Sequence, residues 1–338
     1  MSTKPIRSIR GEAKKFFAEI SLRESPQGEA LMTKYPALEW IQDYKEVPFP
    51  SLRAEKQAVI FARKRGAWLK PFHCYHQNPE YSYYSLDIAE GCLFDCVYCY
   101  LQSYLGQGSL AVFVDCGDLR AEFQHCQGEN LWISTGLLSD SLLAERYFPV
   151  LPSISHQLPE HAILDLRTKS DDVDVLENPE ISRQNVVVSW SLNPENIAAQ
   201  YEYRAPSLHS RLQAARKAID LEYKIGWHLD PVFHFSGWEN AYEKLLAEIA
   251  GLNPDRVAFV SLGLFRYMPD LGSIIRRRFP NHPILSGEFF PDRDGKYHYF
   301  RGIRKEMYQR FTEWLKPWRE KVPVFWSMEP EDSLLNLR

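Results

Sequence analysis

The feature that most constrains this fold is an alternation in the middle of the chain. Six short apolar runs recur there: YSLDI (84–88), LWIS (131–134), ILDLR (163–167), VVVSWS (186–191), GWHLD (226–230) and VAFVSLG (257–263). They are rich in Val, Ile, Leu and Trp, as strands buried on both faces of a parallel sheet are. Helical patterns lie between them. In 210–224 the apolar positions are Leu212, Ala215, Ile219 and Leu221; in 238–250 they are Trp238, Ala241, Leu245, Leu246 and Ile249. Repeated strand–helix units predict a parallel sheet with outer helices, curled by right-handed crossovers into an open barrel. The expected fold is therefore α/β: a partial open (β/α)6 barrel over 81–282. An N-terminal extension over 1–80 precedes it and contains a basic amphipathic stretch, Arg53 to Arg65. A C-terminal hairpin and helix cap over 283–338 follows, with a hairpin on PILSGEFF and KYHYF and a helix from about Ile303 to Lys316, stopped at Pro317.

The chemistry is concentrated directly after the first strand. Gly91-Cys-Leu-Phe-Asp-Cys-Val-Tyr-Cys-Tyr100 holds a C-x3-C-x2-C pattern, Cys92, Cys96 and Cys99. Three thiolates this close together can wrap one face of an iron–sulfur cubane and leave one iron open. Sites in parallel α/β folds form at the C-terminal ends of strands, where this loop lies. Zinc is the competing reading. It asks for a fourth ligand, which Cys74, Cys116, Cys126, His73 or His125 could supply. A disulfide scaffold does not suit six cysteines in a chain of 338 residues whose N-terminus, MSTKPIRSIRGEAKKFF, has no apolar signal core. No apolar run approaches the roughly 20 residues of a membrane span. The expected location is cytoplasmic, with no membrane partner. The net charge of −4 is unlike that of a chain living on phosphate contacts, although a local basic groove remains compatible with it.

The cluster motif resembles the radical S-adenosylmethionine (SAM) superfamily. EGCLFDCVYCYLQ, LRTKSDDVD, SWSLNP, HLDPVFHFSGW and GKYHYFRGIRKEMYQ, in that order, are similar to the spore photoproduct lyase family over roughly residues 80–315. The resemblance implies a partial (β/α)6 radical SAM barrel, a 4Fe–4S cluster on Cys92, Cys96 and Cys99, and SAM as second cofactor. It further implies a reducing electron donor of flavodoxin or ferredoxin type, and DNA as a candidate partner, since the family repairs a thymine dimer of spore DNA. Ser139 and Asp140 match a Ser-Asp pair at the barrel mouth. Lys169 matches a Lys on the SAM carboxylate, and Ser191 a SAM-contacting Ser. Tyr98 and Tyr100 match tyrosines assigned to SAM contact and radical transfer. One position departs: Leu137 stands where the family has the Cys that returns a hydrogen atom to the product radical. Cys74 is the candidate alternative thiol, and a radical enzyme with a non-DNA substrate is the alternative function.

Other residues are weaker candidates. His228 and His234 flank Asp230-Pro231 near the fifth strand, where a barrel mouth would place a substrate. Arg276 to Arg278 and Arg63 to Arg65 could meet phosphates, and Tyr81, Tyr83 and Tyr84 could stack a base. Either Arg301 or Arg304 corresponds to an Arg that the family keeps near its site.

Overall fold

A computed structural model describes residues 13–72 and 80–327. Each of the six runs is a strand: Ser82–Leu86, Leu131–Thr135, Ala162–Thr168, Val186–Ser191, Lys224–Val232 and Val257–Leu264. They lie side by side in chain order and every neighbouring pair is parallel. The sheet ends on two different strands and so stays open. Leu69–Pro71 is antiparallel to the first barrel strand, and Val324–Trp326 is parallel to the sixth. The predicted α/β half-barrel is thus the observed architecture.

Apolar stripes seat the outer helices. In Leu208–Asp220 the buried residues include Leu212, Ala214, Ala215 and Ala218. The small side chains let this helix lie close to the fourth and fifth strands. Trp190 and Trp227, both fully buried, fill the space next to it with their rings 6.5 Å apart. Trp238–Ala250 and Pro269–Arg278 bury apolar stripes of their own, and the second packs against the short helix Leu101–Tyr104. The predicted hairpin forms from Phe289–Pro291 and Tyr297–Tyr299 and adds Arg266–Tyr267 as a third strand. The helix after it spans Arg301–Trp314. Pro317 does not end the chain's helical path; it sits in the first turn of a new short helix, Lys316–Arg319, where its missing N–H costs nothing.

The N-terminal region builds a second sheet. Its order is Glu39–Ile41, Lys15–Glu19, Ala58–Ala62, Leu110–Phe113 and Ala89–Glu90. The Arg53–Arg65 stretch therefore contains a buried strand, AVIFA, preceded by a single helical turn, Leu52–Glu55. A short apolar run between basic residues fits either structure by periodicity alone. Pairing with Leu110–Phe113 anchors this sheet to the segment that follows the cysteine loop. Among the described residues no helix is long and apolar enough to cross a membrane.

Candidate active site

A single cavity of about 770 Å³ runs along the concave face of the half-barrel. The residues matched to cluster binding, SAM binding and radical transfer line it: Cys92, Cys96, Cys99, Tyr98, Tyr100, Ser139, Asp140, Lys169 and Ser191, with Leu137 beside them. They come from the loops after the first, second and third strands and from the end of the fourth.

The cysteine loop is held from several sides. Gly91 has φ +81°, and a Cβ there would lie 1.8 Å from the Ser109 carbonyl oxygen, so only glycine fits. Lys56, from the N-terminal sheet region, donates to the carbonyls of Cys92 (2.7 Å) and Phe94 (3.1 Å). Asp95–Cys96 pairs antiparallel with Glu202–Tyr203. Arg278 bonds Asp95 at 2.8 Å and also reaches Gln102, so this member of the arginine run secures the loop. Burial pushes the Cys92 thiol up to about 12 and raises Cys96 as well, against the pull of Lys169 on Cys96. Thiols in such surroundings ionise when a metal takes them. Among the described residues no three His, Cys, Asp and Glu side chains converge as a single-ion site. The fit to a cluster rests on the donor set: three soft sulfur donors on one short loop, all facing one cavity.

Asp140 organises the opposite rim. Its carboxylate accepts from Leu143 N (3.0 Å), Thr168 Oγ1 (2.6 Å) and Lys169 N (2.6 Å). It therefore caps the helix Ser141–Tyr147 and ties the third strand's end to the loop carrying Leu137 and Ser139. Burial raises this acid, and those hydrogen bonds oppose the rise. Gly136, at φ +76°, lets the loop approach the Arg167 carbonyl. The Lys169 ammonium lies 5.6 Å from the centre of the Tyr98 ring. Tyr100 donates its phenol to the Leu137 carbonyl.

Under the cysteine loop lies a buried network absent from the sequence expectations. Tyr98 donates to Glu202, Asn193 Nδ2 donates to Glu202 at 3.0 Å, and Arg211 pairs with Glu202 at 2.5 Å. Arg211 also donates to the Ser191 carbonyl at 3.0 Å. Both partners of the ion pair are fully buried. A signal for Arg211 exists in the sequence: it occupies the apolar stripe formed by Leu208, Leu212 and Ala215. Nothing local marks Glu202.

Deeper along the same face, Arg167 Nε donates to His228 Nε2 at 3.1 Å, and Asp165 and Ser189 lie beyond it. His228 thus reaches the cavity. His234 does not; its ring packs by Trp238 and Tyr299. Tyr81 and Tyr83 line the cavity's lower end, while Tyr84 is buried. Arg304 is paired to Asp292 at 3.0 Å, and neither it nor Arg301 lines the cavity. Cys116 and Cys126 are also away from it, and Cys74 and His73 lie outside the described residues.

Comparison with known proteins agrees with this geometry. The family model for spore photoproduct lyase matches residues 69–314. A spore photoproduct lyase of Clostridium acetobutylicum is 25% identical over 204 residues, 59% of this chain and 61% of that protein. The match thus spans less than two thirds of that relative's length. A Geobacillus spore photoproduct lyase is 26% identical over 67% of this chain and 68% of its own. Among solved structures, a spore photoproduct lyase complexed with dinucleoside spore photoproduct superposes with a TM-score of 0.80 at 21% identity, covering 94% of this chain and 99% of that one. A variant with bound AdoMet and dinucleoside spore photoproduct gives 0.79 at 22% identity, covering 92% and 98%. With the model match extending across the cysteine loop, the barrel and the C-terminal hairpin, the chain belongs to the spore photoproduct lyase family.

Proposed function

We propose that this chain is a radical SAM enzyme that acts on a pyrimidine photoproduct of DNA. The observation that carries the reading is the convergence of three cysteines, Lys169, Ser139 and Ser191 on one cavity within a half-barrel of this family. Cys92, Cys96 and Cys99 hold a 4Fe–4S cluster in this reading. When bound, the reduced cluster supplies the electron that cleaves SAM and starts radical chemistry on the substrate. Lys169 gives its ammonium to the SAM carboxylate. Ser139 and Ser191 position SAM from the second and fourth strand ends, and Asp140 acts through its bonds to the loop and to Lys169 N. Tyr98 and Tyr100 form the relay: the Tyr98 phenol has a proton acceptor in Glu202 Oε1, and Tyr100 stands beside Leu137. A ferredoxin or flavodoxin is the electron donor, and the setting is the cytoplasm.

Leu137 supports a second reading, in which the radical chemistry is kept and the substrate is not DNA. A leucine C–H is no replacement for a weak S–H bond, so thymine-dimer repair here needs another hydrogen donor. Anaerobic reconstitution followed by SAM turnover with irradiated DNA decides between the two. Repaired thymine is the expected product. Formation of 5′-deoxyadenosine without repair would contradict the DNA reading and leave the radical one standing.

A further inference from the structure

Beneath the SAM-binding residues the cavity contains a cation that the proposed SAM site does not use. Along the third strand alternate side chains face inward, so Asp165 and Arg167 sit below Lys169 on the same face, about 6–7 Å per step. Arg167 is half-buried and lines the cavity. Its one hydrogen-bonding partner among the described residues is His228: Arg167 Nε donates to Nε2 at 3.1 Å, and Nη2 lies 3.4 Å from Nδ1. Among the described residues no carboxylate lies within ion-pair distance of it, although two acids line the same cavity nearby, Asp165 and Asp230, and the guanidinium charge favours the ionised form of Asp165. Those acids are otherwise engaged: Asp165 accepts from Ser189 (2.5 Å) and Ser134 (3.2 Å), and Asp230 faces Arg266 at 3.6 Å.

The groups behind Arg167 are buried and connected. Ser189 Oγ lies 3.2 Å from His228 Nε2, and His228 is edge-on to Phe259 with 5.0 Å between ring centres. Asp165, Ser189 and His228 are 1%, 0% and 3% exposed. A polar chain this deep fixes the geometry of whatever it ends on, and its cavity-facing end is the guanidinium. Further down, Trp132 sits between Tyr83 and Phe259, with ring centres 6.3 and 5.4 Å away, forming an aromatic floor. A preorganised donor fork above tilted and edge-on aromatic rings suits a flat ring that bears acceptor oxygens.

We propose that Arg167 is the substrate-anchoring residue of this cavity, taking a carbonyl or phosphate oxygen of the damaged pyrimidine pair below SAM, and that His228 is its positioning residue. This rests on the DNA reading above. The test measures the dissociation constant of the reconstituted enzyme for an oligonucleotide carrying a single photoproduct, and separately for SAM. Losing a charge-assisted hydrogen bond predicts that Arg167→Met weakens photoproduct binding about tenfold or more. Arg167→Lys, which keeps charge but not the fork seated on His228, falls between the two. His228→Phe weakens photoproduct binding in the wild-type background but adds little to Arg167→Met. A dinucleoside photoproduct without its phosphate separates the two oxygen sources: an unchanged loss assigns the carbonyl, and a vanished loss the phosphate. Undiminished photoproduct binding by Arg167→Met would overturn the proposal, as would a larger loss for SAM than for the photoproduct. Failure of the wild-type enzyme to prefer photoproduct over undamaged strand would instead remove the DNA reading and this inference with it.

Discussion

At the scale of single residues, the site depends on charges that never meet solvent. Glu202 and Arg211 are a fully buried pair; Tyr98 and Asn193 also donate to Glu202, and Arg211 donates to the Ser191 carbonyl. Removing one partner of such a pair strands the other, which costs about 3–5 kcal/mol. Arg211→Met should therefore lower unfolding stability by about that amount in urea titration. It should also loosen the cysteine loop, seen as fewer irons retained per chain after reconstitution. Of the site's residues, those in the C-x3-C-x2-C motif were legible in the sequence because their geometry is local. Glu202 was not, since its partner Tyr98 is 104 positions away and only the folded chain joins them. Arg211 was half legible, as a charge in an apolar stripe. The sequence gives Arg167 no role of its own, because its partner His228 is 61 positions away and meets it only in the folded barrel.

At the scale of elements, a glycine that opens the cysteine loop and an acid buried behind the Leu137 loop give separate tests. Gly91 turns the chain from the first barrel strand into the cysteine loop with its Cα against the Ser109 carbonyl. Gly91→Ala must move backbone, and the expected result is loss of most of the reconstituted iron with the far-ultraviolet circular dichroism retained. The helix Ser141–Tyr147, which follows the Leu137 loop, carries a buried acid, Glu145, on the N–H groups of Val150 and Leu151. Burial pushes Glu145 up to about 8, above its ordinary value near 4.5. A raised acid binds its proton more tightly folded than unfolded. Its contribution is therefore greatest below about 4.5 and declines as pH rises towards 8. Melting temperatures at pH 5 and pH 8 should show Glu145→Gln gaining on the wild type with increasing pH; a constant gap would contradict the burial argument. The six barrel strands could be read in advance because buried parallel strands are continuous apolar runs. The edge strands could not: Leu69–Pro71 and Val324–Trp326 are three residues each, and both contain or follow a proline.

At the scale of the whole molecule, the N-terminal sheet is built into the site. Ala58–Ala62 joins Lys15–Glu19 to Leu110–Phe113, and Lys56 reaches two carbonyls of the cysteine loop. From sequence alone this region is only an extension, because pairing between segments some fifty residues apart has no periodic signature. The half-barrel leaves one long cavity, with the thiols and Lys169 above, Arg167 and His228 in the middle, and aromatic rings below. That layering is what a radical enzyme needs, since the radical source and a substrate ring must share a space shielded from water.

The most direct measurement compares wild-type protein with Cys96→Ala after anaerobic reconstitution, following the visible iron–sulfur chromophore and the release of 5′-deoxyadenosine from SAM under reduction. The wild type is expected to show both, and Cys96→Ala neither while remaining folded. Full SAM cleavage by Cys96→Ala would contradict the cluster assignment.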